Sequence, residues 1–207
     1  MRQIAYNRTA RTEKPRYIVI HTTGNPRRGA DAEAHFQYWN GGNAGQSADF
    51  VVDDKVALQI NDYAKYYTWH VGDGKGKYGI TNSNSIGIEI CINEDGDFEK
   101  ALENAAELVG KLKVETGIET VVRHYDASRK ICPKELAKDN WNGWYKFLDM
   151  VNHPKVQEIT SVNDLVWEMA ERGIISDKAL WLEKLNEDVN AYWIIRKTVQ
   201  YMRKKRV

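Results

Sequence analysis

Apolar and polar positions along the first part of the chain follow two rhythms, one suited to strands and one to helices. RYIVI (residues 16–20) is a short unbroken apolar run that predicts a buried strand. The turn-rich TTGNPRRG follows, and Asp31 is placed to cap a helix over AEAHFQYWN that Gly41 and Gly42 end. SADFVV and KVALQI, on either side of Asp53-Asp54-Lys55, predict a hairpin. NDYAKYYTWHVGDGKGKYGITNSN has no sustained period and is rich in Gly, Asn and aromatic residues, which predicts a long functional loop. SIGIEICI and IETVVR read as two further strands. Between them Phe98, Ala101, Leu102, Ala105, Leu108 and Leu112 recur at helical spacing, after an Asp97 cap and before Gly117. A helix joining two strands marks a crossover, so the expected fold is α/β, a central mixed β-sheet flanked by helices. WNGWYKFLDMV predicts the helix that closes this domain.

Beyond His153-Pro154-Lys155 the strand rhythm disappears. Ser161 and Asp164 have the spacing of a capping box ahead of VNDLVWEMAER, Gly173 ends that run, and Ser176 is placed to cap DKALWLEKLN. DVNAYWIIRKTVQYMRKKR supplies a third helix with a basic end. The expected division is therefore residues 1–153 and 154–207, the second a small all-helical C-terminal module carrying Trp167, Trp181, Tyr192 and Trp193. A helical module of about 50 residues is marginal by itself unless well packed.

Composition narrows the partners. With 30 Lys plus Arg against 29 Asp plus Glu, the formal net charge is +1, which gives no electrostatic case for nucleic acid. No apolar stretch reaches the length of a membrane span, so no membrane association is expected, and MRQIAYNRTARTEKPR lacks the apolar core of a secretory signal peptide. A monomer is the expected state. Cys91 and Cys132 read as two free thiols rather than one disulfide.

The candidate chemistry lies at strand ends. His21 follows YIVI and His124 follows TVVR, positions from which two imidazoles can converge at one rim of a sheet. Cys132 comes eight residues after His124 in the loop-like run RHYDASRKICP, long enough for its thiolate to fold back beside the imidazole before Pro133 ends any regularity. Two His and one Cys, with a fourth position left for water, form a donor set of catalytic zinc. Taken singly, each His is as readily a cap or packing residue, and the Cys a small buried apolar group. Glu89 in SIGIEIC has Ile88 and Ile90 on the opposite face and shares its own with Gly87 and Cys91. A carboxylate in a strand otherwise fit for burial is costly unless it has a partner or a task. The partner would be a Lys or Arg at a sheet edge; the task would be general acid/base catalysis. His35, among Ala34, Phe36 and Tyr38, reads as packing or surface display rather than as a ligand.

IVIHTTGNP, GADAEAHFQYWN, SIGIEICIN and RHYDASRKICP, in that order, resemble the zinc-dependent N-acetylmuramoyl-L-alanine amidases. This type is shared by phage lysozyme-like amidases, bacterial autolysins and peptidoglycan recognition proteins. The likeness is strongest to endolysins and autolysins of Gram-positive bacteria and their phages, covers about residues 1 to 150 and fades beyond. It implies Zn2+ held by His21, His124 and Cys132, and cleavage between the lactyl group of N-acetylmuramic acid and L-alanine in peptidoglycan. Members with a GIE strand use its Glu as general acid/base, which implies that role for Glu89; others place a Tyr on the neighbouring strand, where GQSADFVV offers Ser47, Ala48 and Asp49. Lys130, two residues before Cys132, takes the place of the family's oxyanion-stabilising cation; without the likeness it reads as a solvated loop lysine. YYTWHVGDG is similar to the WH-x-G segment beside the family's cleft, which makes Tyr67, Trp69 and His70 candidates for a substrate wall.

A wall hydrolase without a visible leader fits a protein held in the host bacterial cytoplasm until it is released onto the cell wall through a separate membrane lesion. By analogy residues 154–207 bind secondary wall polymers; the alternative is a helical extension of the catalytic domain. Two competing functions remain. One is a recognition module without turnover, a class that usually lacks the Cys ligand. The other is a metal-free cysteine hydrolase built on Cys132 and His124, which leaves His21 unexplained.

Overall fold

A computed structural model describes residues 2–153 and 161–205, and the chain divides into two compact units, residues 1–154 and 155–207. The first unit contains strands β1 (Arg8–Ala10), β2 (Tyr17–Thr22), β3 (Phe50–Val52), β4 (Ala57–Gln59), β5 (Tyr66–Thr68), β6 (Ser85–Ile90) and β7 (Val121–Arg123). Its helices are α1 (Ala32–Asn40), α2 (Phe98–Thr116), α3 (His124–Ser128) and α4 (Lys138–Asn152). Five strands form a mixed sheet in the order β4-β3-β6-β2-β7, parallel except for the β3–β4 hairpin. Helices flank it, as the alternating pattern predicts.

Period-two alternation gives the sheet two unlike faces. On one face Ile18, Ile20, Phe50, Val52, Ile86, Ile88 and Ile90 pack with Ala105, Val109 and Leu112 of α2 and with Trp144 and Phe147 of α4. Each fully buried Ile or Phe there contributes roughly 1.5–3 kcal/mol relative to exposure. On the other face Val51 meets Ala32, Phe36 and Trp39 of α1. On the same face Val19 packs with Val71, Ile80 and Ala127, and beyond it the parallel register sets His21 beside Glu89, a polar pair at the end of the strands. One face is thus wholly core, and the other, packed around Val51 and Val19, carries the polar pair His21 and Glu89.

Local signals act where the sequence places them. Asp31 Oδ1 accepts from Ala34 N at 2.9 Å and Asp97 Oδ1 from Lys100 N at 3.1 Å, each capping its helix. Gly117 ends α2 with φ 73°, a left-handed conformation that suits glycine. Two elements differ from expectation. The stretch read as a loop contains β5, which pairs antiparallel with β1, and a 3-10 turn over Gly72–Gly74. That pairing joins residues far apart in sequence, and no local period announces it. The run RHYDASRKICP begins with the one-turn helix α3 rather than an irregular loop.

The second unit is helical, with α5 (Val162–Glu171), α6 (Lys178–Glu187) and α7 (Val189–Lys205) around Leu165, Val166, Met169, Leu185, Tyr192 and Val199. The Ser161–Asp164 capping box forms: Asp164 N donates to Ser161 Oγ at 3.1 Å and Ser161 N to Asp164 Oδ2 at 2.9 Å. The cap of α6 is Asp177, whose Oδ1 accepts from Leu180 N at 3.0 Å, and not Ser176. A cap must reach the third helical amide, and Asp177 stands at that distance. Trp167 and Trp193 are exposed, whereas Trp181 packs against the core. The expected boundary at His153-Pro154-Lys155 runs into residues 154–160, which lie outside the described residues. Among the described residues no helix is long and apolar enough to cross a membrane.

Candidate functional site

His21 lies inside β2 rather than beyond it, because pairing with β6 continues to Thr22 opposite Ile90. Its ring is buried on the polar face. His124 opens α3 directly after β7. The turn into α3 is fixed by Asp126, whose Oδ2 accepts from Arg123 N at 2.9 Å and Nε at 3.0 Å while Oδ1 accepts from Nη2 at 2.7 Å. Arg129, left-handed at φ 69°, reverses the chain, and Tyr125 N donates to Cys132 O at 3.0 Å. This backbone bond closes the return that sets Cys132 beside His124.

The three donor atoms converge. His21 Nδ1 lies 3.1 Å from His124 Nδ1 and 3.8 Å from Cys132 Sγ, and all three ligand atoms fall within 4.8 Å of one another. His124 Nε2 donates to Asp73 Oδ1 at 2.8 Å, so its Nδ1 carries a lone pair facing into the group. Burial lowers the pKa of His21 well below the ordinary value, helped by His124, and burial lowers that of His124 despite Asp73. Both rings are therefore neutral and fit to bind a metal. Burial, with the charge of Glu89, pushes the Cys132 thiol up to about 12. A divalent cation among these atoms reverses that preference by favouring the thiolate. Two imidazole nitrogens and one sulfur form a borderline-soft set suited to zinc.

Asp73, which the sequence reading passed over, orients His124. Burial opposes its ionisation, but hydrogen bonds from His124 and Ser128 prevail and hold its carboxyl below the usual range. The 3-10 turn that carries Asp73 packs so tightly on α3 that a Cβ on Gly74 would lie 2.2 Å from Ala127 O. The only sequence signal was an Asp between two glycines in WHVGDG.

Glu89 sits in register with His21, its Oε1 3.9 Å from His21 Nδ1. Its side chain is 17% exposed, and its Oε2 is buried without a hydrogen-bond partner. It is not paired as an edge carboxylate. Burial pushes its pKa up to about 8, with Lys130 pulling down and Glu135 pushing up. Glu89, Lys130 and the three donor residues line one cleft of about 460 Å³. Trp69, 39% exposed, forms part of its wall, as does Tyr38 of α1, which the sequence reading did not single out.

The other candidates separate. His70 reaches the cleft but is buried, with Nδ1 3.0 Å from His21 Nε2, so it backs a ligand more than it faces solvent. Tyr67 does not line the cleft. Thr68 turns inward to donate to Asp49 Oδ2 at 3.0 Å, and Tyr67, one residue earlier on β5, faces the opposite side. Cys91 is a free buried thiol 3.9 Å from His35 Nδ1, outside the ligand group, and His35 Nδ1 lies 2.8 Å from Asp31 O at the start of α1.

Known proteins resemble this chain in sequence and in fold. A family model described as N-acetylmuramoyl-L-alanine amidase matches residues 11–135, a span that includes His21, Glu89, His124, Lys130 and Cys132. The chain is 41% identical over 153 residues to the N-acetylmuramoyl-L-alanine amidase CwlH of Bacillus subtilis (strain 168), covering 72% of this chain and 58% of that protein. It is also 41% identical over 145 residues to XlyA of the same organism, covering 68% of this chain and 46% of XlyA. The matched region thus spans about half the length of these relatives. Among solved structures, the catalytic domain of XlyA superposes with a TM-score of 0.63 at 38% identity, over 72% of this chain and 94% of that domain. With the family model covering more than half of the sequence, the chain belongs to the N-acetylmuramoyl-L-alanine amidase family.

Proposed function

We propose that the first unit hydrolyses the amide bond between N-acetylmuramic acid and L-alanine in peptidoglycan, with Zn2+ held by His21 Nδ1, His124 Nδ1 and Cys132 Sγ. The observation that carries this reading is the convergence of those three atoms beside Glu89 and Lys130 in one cleft. The family supplies the identity of the bond.

Zinc in a three-ligand site supplies Lewis acidity, which makes water nucleophilic near neutral pH. In its ionised form, which Lys130 favours, Glu89 takes the proton of the attacking water as the new C–O bond forms, and returns it to the nitrogen as the C–N bond breaks. The Lys130 ammonium faces the negative charge that develops on the carbonyl oxygen. Trp69 and Tyr38 offer aromatic surface for sugar and peptide. A metal-free thiol mechanism is disfavoured by the same geometry, since burial keeps Cys132 protonated and His21 would then have no task.

The second unit is proposed to bind anionic secondary wall polymers. In support, α7 contains Arg196, Lys197, Arg203, Lys204 and Lys205 without an acidic residue, and Trp193 and Tyr201 are exposed on it. A chain ending at residue 153 that decorates walls as well as the full chain does would remove this assignment.

The amidase reading is tested by metal analysis together with turnover. One zinc per chain, with hydrolysis lost to chelator and restored by zinc, supports it. Chelator-resistant hydrolysis would instead indicate a thiol enzyme, and wall binding without product a recognition protein.

A further inference from the structure

Each proposed ligand histidine has its second ring nitrogen engaged, but by different means. His124 leans directly on the carboxylate of Asp73. His21 leans on another imidazole: its Nε2 lies 3.0 Å from His70 Nδ1. An imidazole is an ambiguous partner, since either nitrogen can carry the proton. Something must decide which.

We propose that Ser85, acting through His70, fixes the tautomer of His21 and so keeps the Nδ1 lone pair of His21 available to the metal. Both are positioning residues, and the assignment rests on the reading of His21 as a ligand.

The direction of each hydrogen bond follows from one end of the chain. Ser85 opens β6 fully buried, and its hydroxyl donates to Thr81 O, a carbonyl that can only accept. With its one proton used, Ser85 Oγ must accept from His70 Nε2, 3.1 Å away. A neutral imidazole has one N–H, so His70 Nδ1 accepts, and His21 Nε2 is the donor across 3.0 Å. His21 Nδ1 is left with its lone pair among His124 Nδ1 and Cys132 Sγ. The order of protons runs from His21 to His70 to Ser85 to Thr81 O.

The surroundings hold the relay in place. A Cβ on Gly87 would lie 2.7 Å from His70 Cγ, so the ring rests on a strand position that only glycine leaves open. Asn82 Oδ1 accepts from His70 N at 3.0 Å and from Val71 N at 2.7 Å, which fixes the backbone that carries the ring. None of these residues touches the cleft floor through a charge, so the device is one of geometry.

Removing the Ser85 hydroxyl strands the His70 Nε2 proton in a buried site. The ring then gains by carrying its proton on Nδ1 and donating it to His21 Nε2, which forces the proton of His21 onto Nδ1, where the metal belongs. The full chain with Ser85→Ala should bind zinc roughly 10-fold or more weakly in competition with a chromophoric chelator, while the metal-free variant still melts cooperatively as a folded chain. The chain has five histidines, so long-range 1H–15N correlation of the labelled rings can read each tautomer. The parent should show His70 protonated at Nε2, and the variant should move that proton to Nδ1. A folded Ser85→Ala chain with zinc affinity within about twofold of the parent overturns the proposal. So does a parent spectrum with His70 protonated at Nδ1, which decides the matter even where the variant fails to fold. Zinc binding with an intact relay but no amide product would sink the proposed function and leave the relay standing; normal turnover with the other tautomer would do the reverse.

Discussion

Asp49 is a buried carboxylate whose replacement gives a calculable response to pH. It is fully buried between β3 and β6, with Oδ1 accepting from Asn61 Nδ2 at 2.6 Å and Oδ2 from Thr68 Oγ1 at 3.0 Å and Gly87 N at 2.8 Å. Burial raises its pKa from 3.8 to about 6, against the pull of those hydrogen bonds and of Arg11. A raised carboxyl pKa means the folded state holds its proton where the unfolded chain has lost it, so stability falls as pH rises from about 4 through about 6. The whole shift is worth about 3 kcal/mol, and about 2 kcal/mol of it lies between pH 4.5 and pH 7. The assay is urea unfolding of metal-free parent and Asp49→Asn chains across that range. Slopes from other groups cancel in the difference, so the parent should lose about 2 kcal/mol relative to the variant on going from pH 4.5 to pH 7. A difference that stays flat, or that grows in favour of the parent, refutes the reasoning.

Other substitutions probe the site itself. Glu89→Gln should lower kcat by about 10²–10⁴ while leaving one zinc per chain, because the amide cannot shuttle a proton. Lys130→Ala should lower kcat by about 10²–10³ and leave zinc affinity in chelator competition unchanged; equal activity removes Lys130 from the mechanism. Gly74→Ala should destabilise the first unit by about 1–3 kcal/mol and weaken zinc binding together, since a Cβ 2.2 Å from Ala127 O must push the Asp73 turn away from His124. Thermal melts and metal titration of that variant read both effects, and an unchanged pair of values would contradict the packing.

Much of the frame was legible because it rests on local signals. The caps at Asp31 and Asp97, the period of α2 and the alternation of β6 each carry their meaning within a few residues. His21 and Glu89 stood out as polar residues within apolar strands, and His124 and Cys132 as possible ligands eight residues apart in the run RHYDASRKICP. Pairing across the sequence was not legible: β5 exists because β1 lies beside it, and nothing within YYT says so. The same long-range pairing sets where β5 ends and which residues reach the cleft: Tyr67 lies within the strand and outside the cleft, whereas Trp69, just past its end, lines it. Asp73 and Ser85 were invisible for a related reason. Each is an ordinary turn or strand-end residue until the fold sets a particular imidazole nitrogen against it.

The zinc-loaded chain is proposed to hydrolyse one particular bond. Mass spectrometry of peptidoglycan digested by the full protein tests it directly. The expected products are glycan strands with free muramoyl lactyl groups and stem peptides with a new N-terminal alanine, formed with zinc and abolished by chelator. New reducing sugar ends, cleavage within the stem peptide, or undiminished product in the presence of chelator would contradict it.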